Sequence, residues 1–209
     1  MIDKIASWKY AEDYVSEPEH IQSARRSAEE LGVEAITPAT GNQLALLARL
    51  ANARSIVEVG TGAGVSGLWL LSAHPESVLT TIDDEPEYQN VARTNFKNAG
   101  IAPSRIRVIT GKGAAVMGNM AESAYDLVFL DAEPTDLEPM LQSAVALAKP
   151  GAAIVISHAL WRDRVPNPAL RDDETASLRQ AIRNFGDGDG FIATISLVGD
   201  GLLIVVKTD

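Results

Sequence analysis

The residues whose types and spacing suit chemistry gather in one stretch, Arg54-Ser-Ile-Val-Glu-Val-Gly-Thr-Gly-Ala-Gly-Val-Ser-Gly67. Gly60, Gly62 and Gly64 stand at every second position. A backbone without Cβ atoms can turn tightly there and let a ligand approach within contact distance. A helix starting near Val65 then offers free N–H groups and the positive end of its dipole to an anionic group. Ser66, at that helix start, is placed to hydrogen-bond a carboxylate or to serve as a local cap. Glu58 ends the strand before the glycines, where its carboxylate would repel a pyrophosphate and suit a ligand that carries a cation. Asp83, at the end of the next strand, can accept hydrogen bonds from a ribose diol, a use shared by several nucleotide cofactors. Two ligand classes stay open. Gly62-Ala-Gly64-Val-Ser-Gly67 satisfies the G-x-G-x-x-G pattern of a nicotinamide or flavin nucleotide, whereas Glu58 favours a cofactor with a cationic centre.

These side chains need elements to hold them. Short β-branched or apolar runs predict strands over 56–59, 78–82, 106–110, 125–130 and 152–157. Helical patterns follow most of them, over 65–73, 85–98, 136–148 and 173–186. The last stretch reads as an antiparallel hairpin, with strands over 191–197 and 202–206 flanking Gly199-Asp-Gly201. Before the first strand, Ser16-Glu-Pro-Glu19 reads as a capping box opening a helix with Ile21, Ala24, Ala28 and Leu31 on one face and Gly32 at its end. After a connector over 36–40, a second helix over 41–52 places Leu44, Leu47 and Leu50 on one stripe. Asp84 with Glu87, and Thr135 with Glu138, read as further capping boxes, and Asp172-Asp173 as an acidic cap. Five βα units and a closing hairpin predict an α/β chain: a Rossmann-like, mostly parallel sheet with helices on both faces and an antiparallel last strand. The expectation is a single domain over 1–209, with the helices of residues 1–53 covering the cofactor and acceptor edge.

Composition narrows the partners. A net charge of −10 over 209 residues argues against nucleic acid and acidic membrane surfaces, since phosphate contacts need clustered Lys and Arg. The absence of cysteine excludes disulfides, thiolate zinc sites and a thiol nucleophile, and fits a cytoplasmic protein. Acids at Asp3, Glu12 and Asp13 do not suit a signal peptide, and no run approaches the roughly 20 apolar residues of a membrane span.

Glu58-Val-Gly-Thr-Gly-Ala-Gly64 resembles the first motif of class I S-adenosylmethionine-dependent methyltransferases. With Gly64-Val-Ser-Gly-Leu-Trp69, Thr81-Ile-Asp-Asp-Glu-Pro-Glu87 and Phe129-Leu-Asp-Ala-Glu133, the chain from about Ile36 onward resembles the small O-methyltransferases related to the catechol and caffeoyl-CoA enzymes. The resemblance implies the seven-stranded fold of that class, S-adenosyl-L-methionine as cofactor, a small hydroxylated acceptor, aromatic or not, and a homodimer. It implies cofactor contacts from Thr37, Glu58, Gly60, Thr61, Gly62, Ser66, Asp83 and Asp131, and packing of adenine against Gly113.

In the resembling family a divalent metal ionises the acceptor hydroxyl, held by an Asp after strand four and an Asp-Asn pair after strand five, with a Lys as base. Here Asp131 keeps the first position, while Ser157 and His158 occupy the pair and Pro134 stands in the Lys position. A carboxylate, a hydroxyl and an imidazole make a poor magnesium site. Asp131 and His158, with Glu133 as a helper, would suit zinc or another transition metal better. The metal-free alternative assigns both to catalysis: His158 takes the acceptor proton while Asp131 orients its ring. No metal ligand is assigned, and a divalent metal is doubtful. Trp161 either walls the acceptor pocket or packs. The leading expectation is an O-methyltransferase; an eroded cofactor-binding relative and a nicotinamide-dependent oxidoreductase are its rivals.

Overall fold

The computed structural model describes residues 4–186 and 188–208. Residues 1–3, which held Asp3 of the amino-terminal reading, lie outside them. One sheet carries seven strands: β1 (Ser55–Val59), β2 (Val78–Asp83), β3 (Ile106–Thr110), β4 (Tyr125–Leu130), β5 (Ala148–Ile156), β6 (Phe191–Ser196) and β7 (Leu202–Lys207). Their order is β3-β2-β1-β4-β5-β7-β6. The first five are parallel, and β7 runs antiparallel to both β5 and β6. The expected hairpin is therefore present, and its second strand inserts beside β5.

Strand side chains alternate between two cores. Ile56, Leu79, Leu127, Phe129 and Val155 face one, with α2 (Glu19–Leu31), α3 (Pro38–Leu50), α4 (Val65–Ser72) and α5 (Pro86–Asn98) packed on them. Val57, Ile82, Val128, Leu130 and Ile154 face the other, beneath α6 (Gly113–Met117), α7 (Leu137–Leu147) and α8 (Asp173–Gly186). Covering both faces explains why β1, β4 and β5 read as near-continuous apolar runs. Strand order reverses between β1 and β4, which opens a crevice beyond their carboxyl ends.

Several local readings are corrected. Ser16 does not cap α2; Pro18 is its N-cap and no side chain bonds there. Residues 38–40 are helical, because Thr37 caps α3 through its hydroxyl, which accepts from the Thr40 N–H at 3.2 Å. On that helix Leu44 is buried but Leu50 is 75% exposed. Neither Asp84 nor Thr135 caps a helix: the N-caps are Glu85 and Asp136, neither with a side-chain bond, and a 3-10 turn over Pro134–Asp136 precedes α7. Asp172 does cap α8, accepting from the Thr175 N–H at 3.0 Å. β5 starts at Ala148 rather than 152, with a register shift against β4.

No described residue of the helices before β1 lines the crevice. α2 and α3 sink Ile21, Ala24, Leu44 and Ala48 into the first core, and the linker between them, at Val33 to Ile36, is what reaches the crevice. Ahead of them α1 (Lys4–Asp13) buries no residue. Polar ties hold it: Trp8 Nε1 donates to Leu197 O at 2.8 Å, and Glu12 accepts from Thr37 Oγ1 at 3.0 Å and from the Gly199 N–H.

Candidate active site

The crevice is a cleft of about 600 Å³. Its floor is the glycine turn after β1. Gly60 has φ +96°, and a Cβ there would overlap the carbonyl oxygen of Asp131. The neighbouring ladder is held by Gly60 N–H to Ile82 O and Asp131 N–H to Val59 O, both 2.9 Å. Thus the first glycine is needed to bring β1 and β4 together at the cleft. Gly64 serves a second contact, with φ +88° and a Cβ position 3.1 Å from the Phe96 ring. Packing, more than ligand approach, explains these two.

Asp83 is joined to the same turn. Its Oδ2 accepts from the Gly62 N–H at 2.9 Å and its Oδ1 from the Glu85 N–H at 3.0 Å. Each carboxylate oxygen keeps a second lone pair, and the residue lines the cleft. Gly60, Thr61, Gly62 and Ser66 line it beside Asp83, and Gly113 closes one side after β3. The Thr61 hydroxyl meets that of Thr81 at 2.8 Å.

Two of the expected residues do not line the cleft. Thr37 is not on the cleft wall; its hydroxyl is used by α3 and Glu12. Glu58 is 0% exposed and is not on the wall either. Its Oε2 accepts from Thr81 Oγ1 at 2.7 Å, and its Oε1 makes no hydrogen bond. Burial pushes this carboxyl up to about 7; the hydroxyls of Ser66 and Thr81 pull it back, while Asp131 and Asp83 raise it further. Glu58 lies beneath the cleft floor as a half-satisfied buried acid.

The other end of the cleft is built from the ends of β4 and β5. Asp131 and His158 both line it, as do Trp161 and Arg162. Ser157 Oγ donates to Asp131 Oδ1 at 2.5 Å. His158 Nε2 lies 3.4 Å from the same oxygen, and Nδ1 lies 3.2 Å from Asp200 Oδ2. The ring edge of Trp161 stands across the imidazole, with centroids 6.2 Å apart. Trp161 Nε1 donates to Glu174 Oε2 at 3.3 Å, so the residue both walls the cleft and ties it to α8. Sequence reasoning missed Asp200. The only signal was an acid between two glycines at a hairpin tip.

Contact with Asp131 raises the His158 pKa to about 9, against the opposing effect of burial, and Asp200 adds to the rise. The ring is then an imidazolium at neutral pH, with both nitrogens donating and no lone pair for a metal. Oδ1 of Asp131 takes the Ser157 hydroxyl. Among the described residues no group of three or more His, Asp or Glu side chains is gathered to hold an ion. This donor set does not fit a divalent metal. At the positions where the resembling family holds its metal, Ser157 is hydrogen-bonded to Asp131 and His158 to Asp200, and an ion-pair contact of 3.4 Å joins Asp131 to His158.

Comparison with known proteins agrees with this geometry. The O-methyltransferase family model matches residues 12–208. A protein of Mycobacterium sp. strain JLS that carries a provisional O-methyltransferase name is 44% identical over 199 residues, covering 95% of this chain and 90% of that protein. A solved structure from Corynebacterium glutamicum superposes with a TM-score of 0.90 at 28% identity, over 99% of this chain and 98% of that one. TomG of Streptomyces achromogenes, an O-methyltransferase involved in tomaymycin synthesis and solved in complex with SAM, gives a TM-score of 0.87 at 26% identity over 100% of both chains.

Proposed function

The chain belongs to the O-methyltransferase family, and on that premise we propose that its cleft binds S-adenosyl-L-methionine and a small hydroxylated, aromatic acceptor, with His158 taking the acceptor's proton. One observation carries this reading: a single cleft brings the turn of Gly60 to Ser66, and Asp83, to one end and the Asp131–His158 pair to the other.

The residues fit the cofactor. Asp83 has lone pairs to spare for a ribose diol, and Ser66 lies at the start of α4 for a carboxylate. The unbonded Oε1 of Glu58 favours a cationic ligand above it. When bound, the cofactor supplies an electrophilic methyl group on a sulfonium. The protein's part is to hold the acceptor in line and relieve it of a proton. Positioning of this kind is worth roughly 7–11 kcal/mol in well-oriented systems, and a general base typically adds ~10²–10⁴-fold. His158 acts in its neutral form, about 1% of the molecules at pH 7 for a pKa of about 9. That pKa lies close to a phenol's value of about 10, which favours proton transfer. Trp161 offers an apolar wall for an aromatic ring.

The test is methyl transfer from labelled S-adenosyl-L-methionine to a panel of phenols and catechols, with and without EDTA, beside thermal unfolding with S-adenosylhomocysteine. A ligand at 100 times its dissociation constant adds roughly 2.7 kcal/mol of stability. Turnover insensitive to EDTA supports the reading. A thermal shift without turnover on any acceptor would leave the eroded, cofactor-binding relative standing. No shift at all would overturn the cofactor assignment. A cytoplasmic setting and a homodimer belong to the same reading. The homodimer follows from the family resemblance, and sedimentation velocity checks it.

A further inference from the structure

Resting on the reading of His158 as the base, we propose that Asp200 is a positioning residue for the reaction: it orients the imidazole and keeps the ring proton on Nδ1, so that Nε2 is the nitrogen turned to the acceptor. Asp200 sits at the tip of the β6–β7 hairpin, 42 residues from His158 in sequence. Three contacts seat it in the loop after β5. Its Oδ2 lies 3.2 Å from His158 Nδ1, its Oδ1 accepts from the Arg162 N–H at 2.7 Å, and its carbonyl oxygen accepts from the Leu160 N–H at 2.9 Å. The next carbonyl, of Gly201, accepts from the Ala159 N–H at 3.0 Å. A Cβ on Gly201 would lie 2.6 Å from Leu160 Cγ, so hairpin and loop approach more closely than a side chain allows.

The loop needs such a lock. His158, Trp161 and Arg162 have φ of +53°, +47° and +53°, a region that side-chain-bearing residues keep only when their surroundings over-determine it. On the other side of the ring, Nε2 is 3.4 Å from Asp131 Oδ1, which already takes the Ser157 hydroxyl at 2.5 Å. Of the two carboxylates, Asp200 is the nearer, and its contact alone has hydrogen-bond geometry. A neutral imidazole has one donor and one acceptor nitrogen. With the donor pinned to Asp200, the acceptor faces the cleft. The charged groups around the ring are Asp131 from β4, Asp200 from the hairpin and Arg162 from the loop; the Arg162 guanidinium turns away to Glu34 and to the face of Trp161.

Ring-nitrogen NMR on the whole protein near pH 10 reads the tautomer directly. The expected state is Nδ1–H; an Nε2–H tautomer in the wild-type protein overturns the proposal. The variant Asp200→Asn sharpens the test. Its amide oxygen is required by the Arg162 N–H, so its NH2 faces Nδ1 and donates to it, which drives the ring to Nε2–H. We expect that inversion together with a fall in kcat of roughly 10²–10⁴-fold, as wrong-tautomer variants of histidine bases show, and an S-adenosylhomocysteine-induced thermal shift like that of wild type. A lost kcat without inversion overturns the proposal and leaves His158 as base. Inversion with unchanged kcat overturns the base assignment, and with it the catalytic part of the proposal. If the variant does not fold, the wild-type tautomer decides.

Discussion

Glu58 and Thr81 face each other across β1 and β2, and the Thr81 hydroxyl donates to Glu58 Oε2 at 2.7 Å while Oε1 goes without a hydrogen bond. The buried carboxyl, pushed up from 4.5 to about 7, binds its proton more tightly in the folded chain than in the unfolded one. Its contribution to stability is full below pH 4.5 and is lost as pH rises to about 7. The loss is of order 3 kcal/mol, at about 1.4 kcal/mol per pH unit. Glu58→Gln removes the titration. The stability of this variant relative to wild type should therefore climb by that amount between pH 4.5 and pH 8, measured by urea unfolding across pH. A difference that does not change with pH would show that Glu58 is not a strained acid.

His158, raised to about 9, gives a pH dependence of the opposite use. Its base form grows tenfold per pH unit below that value, so kcat/KM should rise with unit slope from pH 6 and level off near 9. His158→Gln should lower the rate by roughly 10²–10⁴-fold and flatten the profile. A wild-type profile already flat between pH 6 and 8 would remove His158 from proton transfer.

Asp83 links the glycine turn to the start of α5 by accepting from the Gly62 and Glu85 N–H groups. Asp83→Ala strands both donors and removes the acid from the cleft. Losing a charge-assisted hydrogen bond is worth about 1.5–3 kcal/mol, so S-adenosylhomocysteine should bind roughly 10–150-fold more weakly by calorimetry while the protein stays folded. Unchanged affinity would exclude Asp83 from the cofactor site.

Gly41 lies under the indole of Trp69, where α3 crosses α4, and a Cβ at that position would collide with the ring. Alanine is the better helix former by about 1 kcal/mol. The packing argument predicts the reverse outcome here: Gly41→Ala should destabilise by roughly 1–3 kcal/mol through overpacking, lowering the melting temperature. A stabilised variant would show that the two helices can move apart freely.

How much of this was legible in the sequence depended on the range of the interaction. The strands were, because β-branched or apolar runs such as Ile56-Val57 and Val128-Phe129-Leu130 answer to a local pattern and are buried whichever neighbour they pair with. The glycine turn and Asp83 were, because both lie in one βαβ unit, β1-α4-β2. Helix starts were not. Thr37 at the cap of α3 and Pro18 at that of α2 differ by three and two residues from the expected ends, and such phases depend on how the preceding chain arrives. Leu50 fits the helical stripe, yet α3 ends where the core no longer reaches it. The depth of Glu58 beneath the cleft floor was not legible, because strand position does not tell depth. Asp200 was invisible, since only the insertion of β7 beside β5 carries it to His158.

That insertion also orders the making of the protein. β6 touches the sheet only through β7, the last strand in chain order. While the chain is being synthesised, β6 leaves the ribosome with no partner to pair with, and β5 has one edge bare. Both wait for β7, and so does the hairpin tip that meets His158. A nascent chain can thus assemble the glycine-turn end of its cleft, from β1, β2 and β4, before the His158 end is complete.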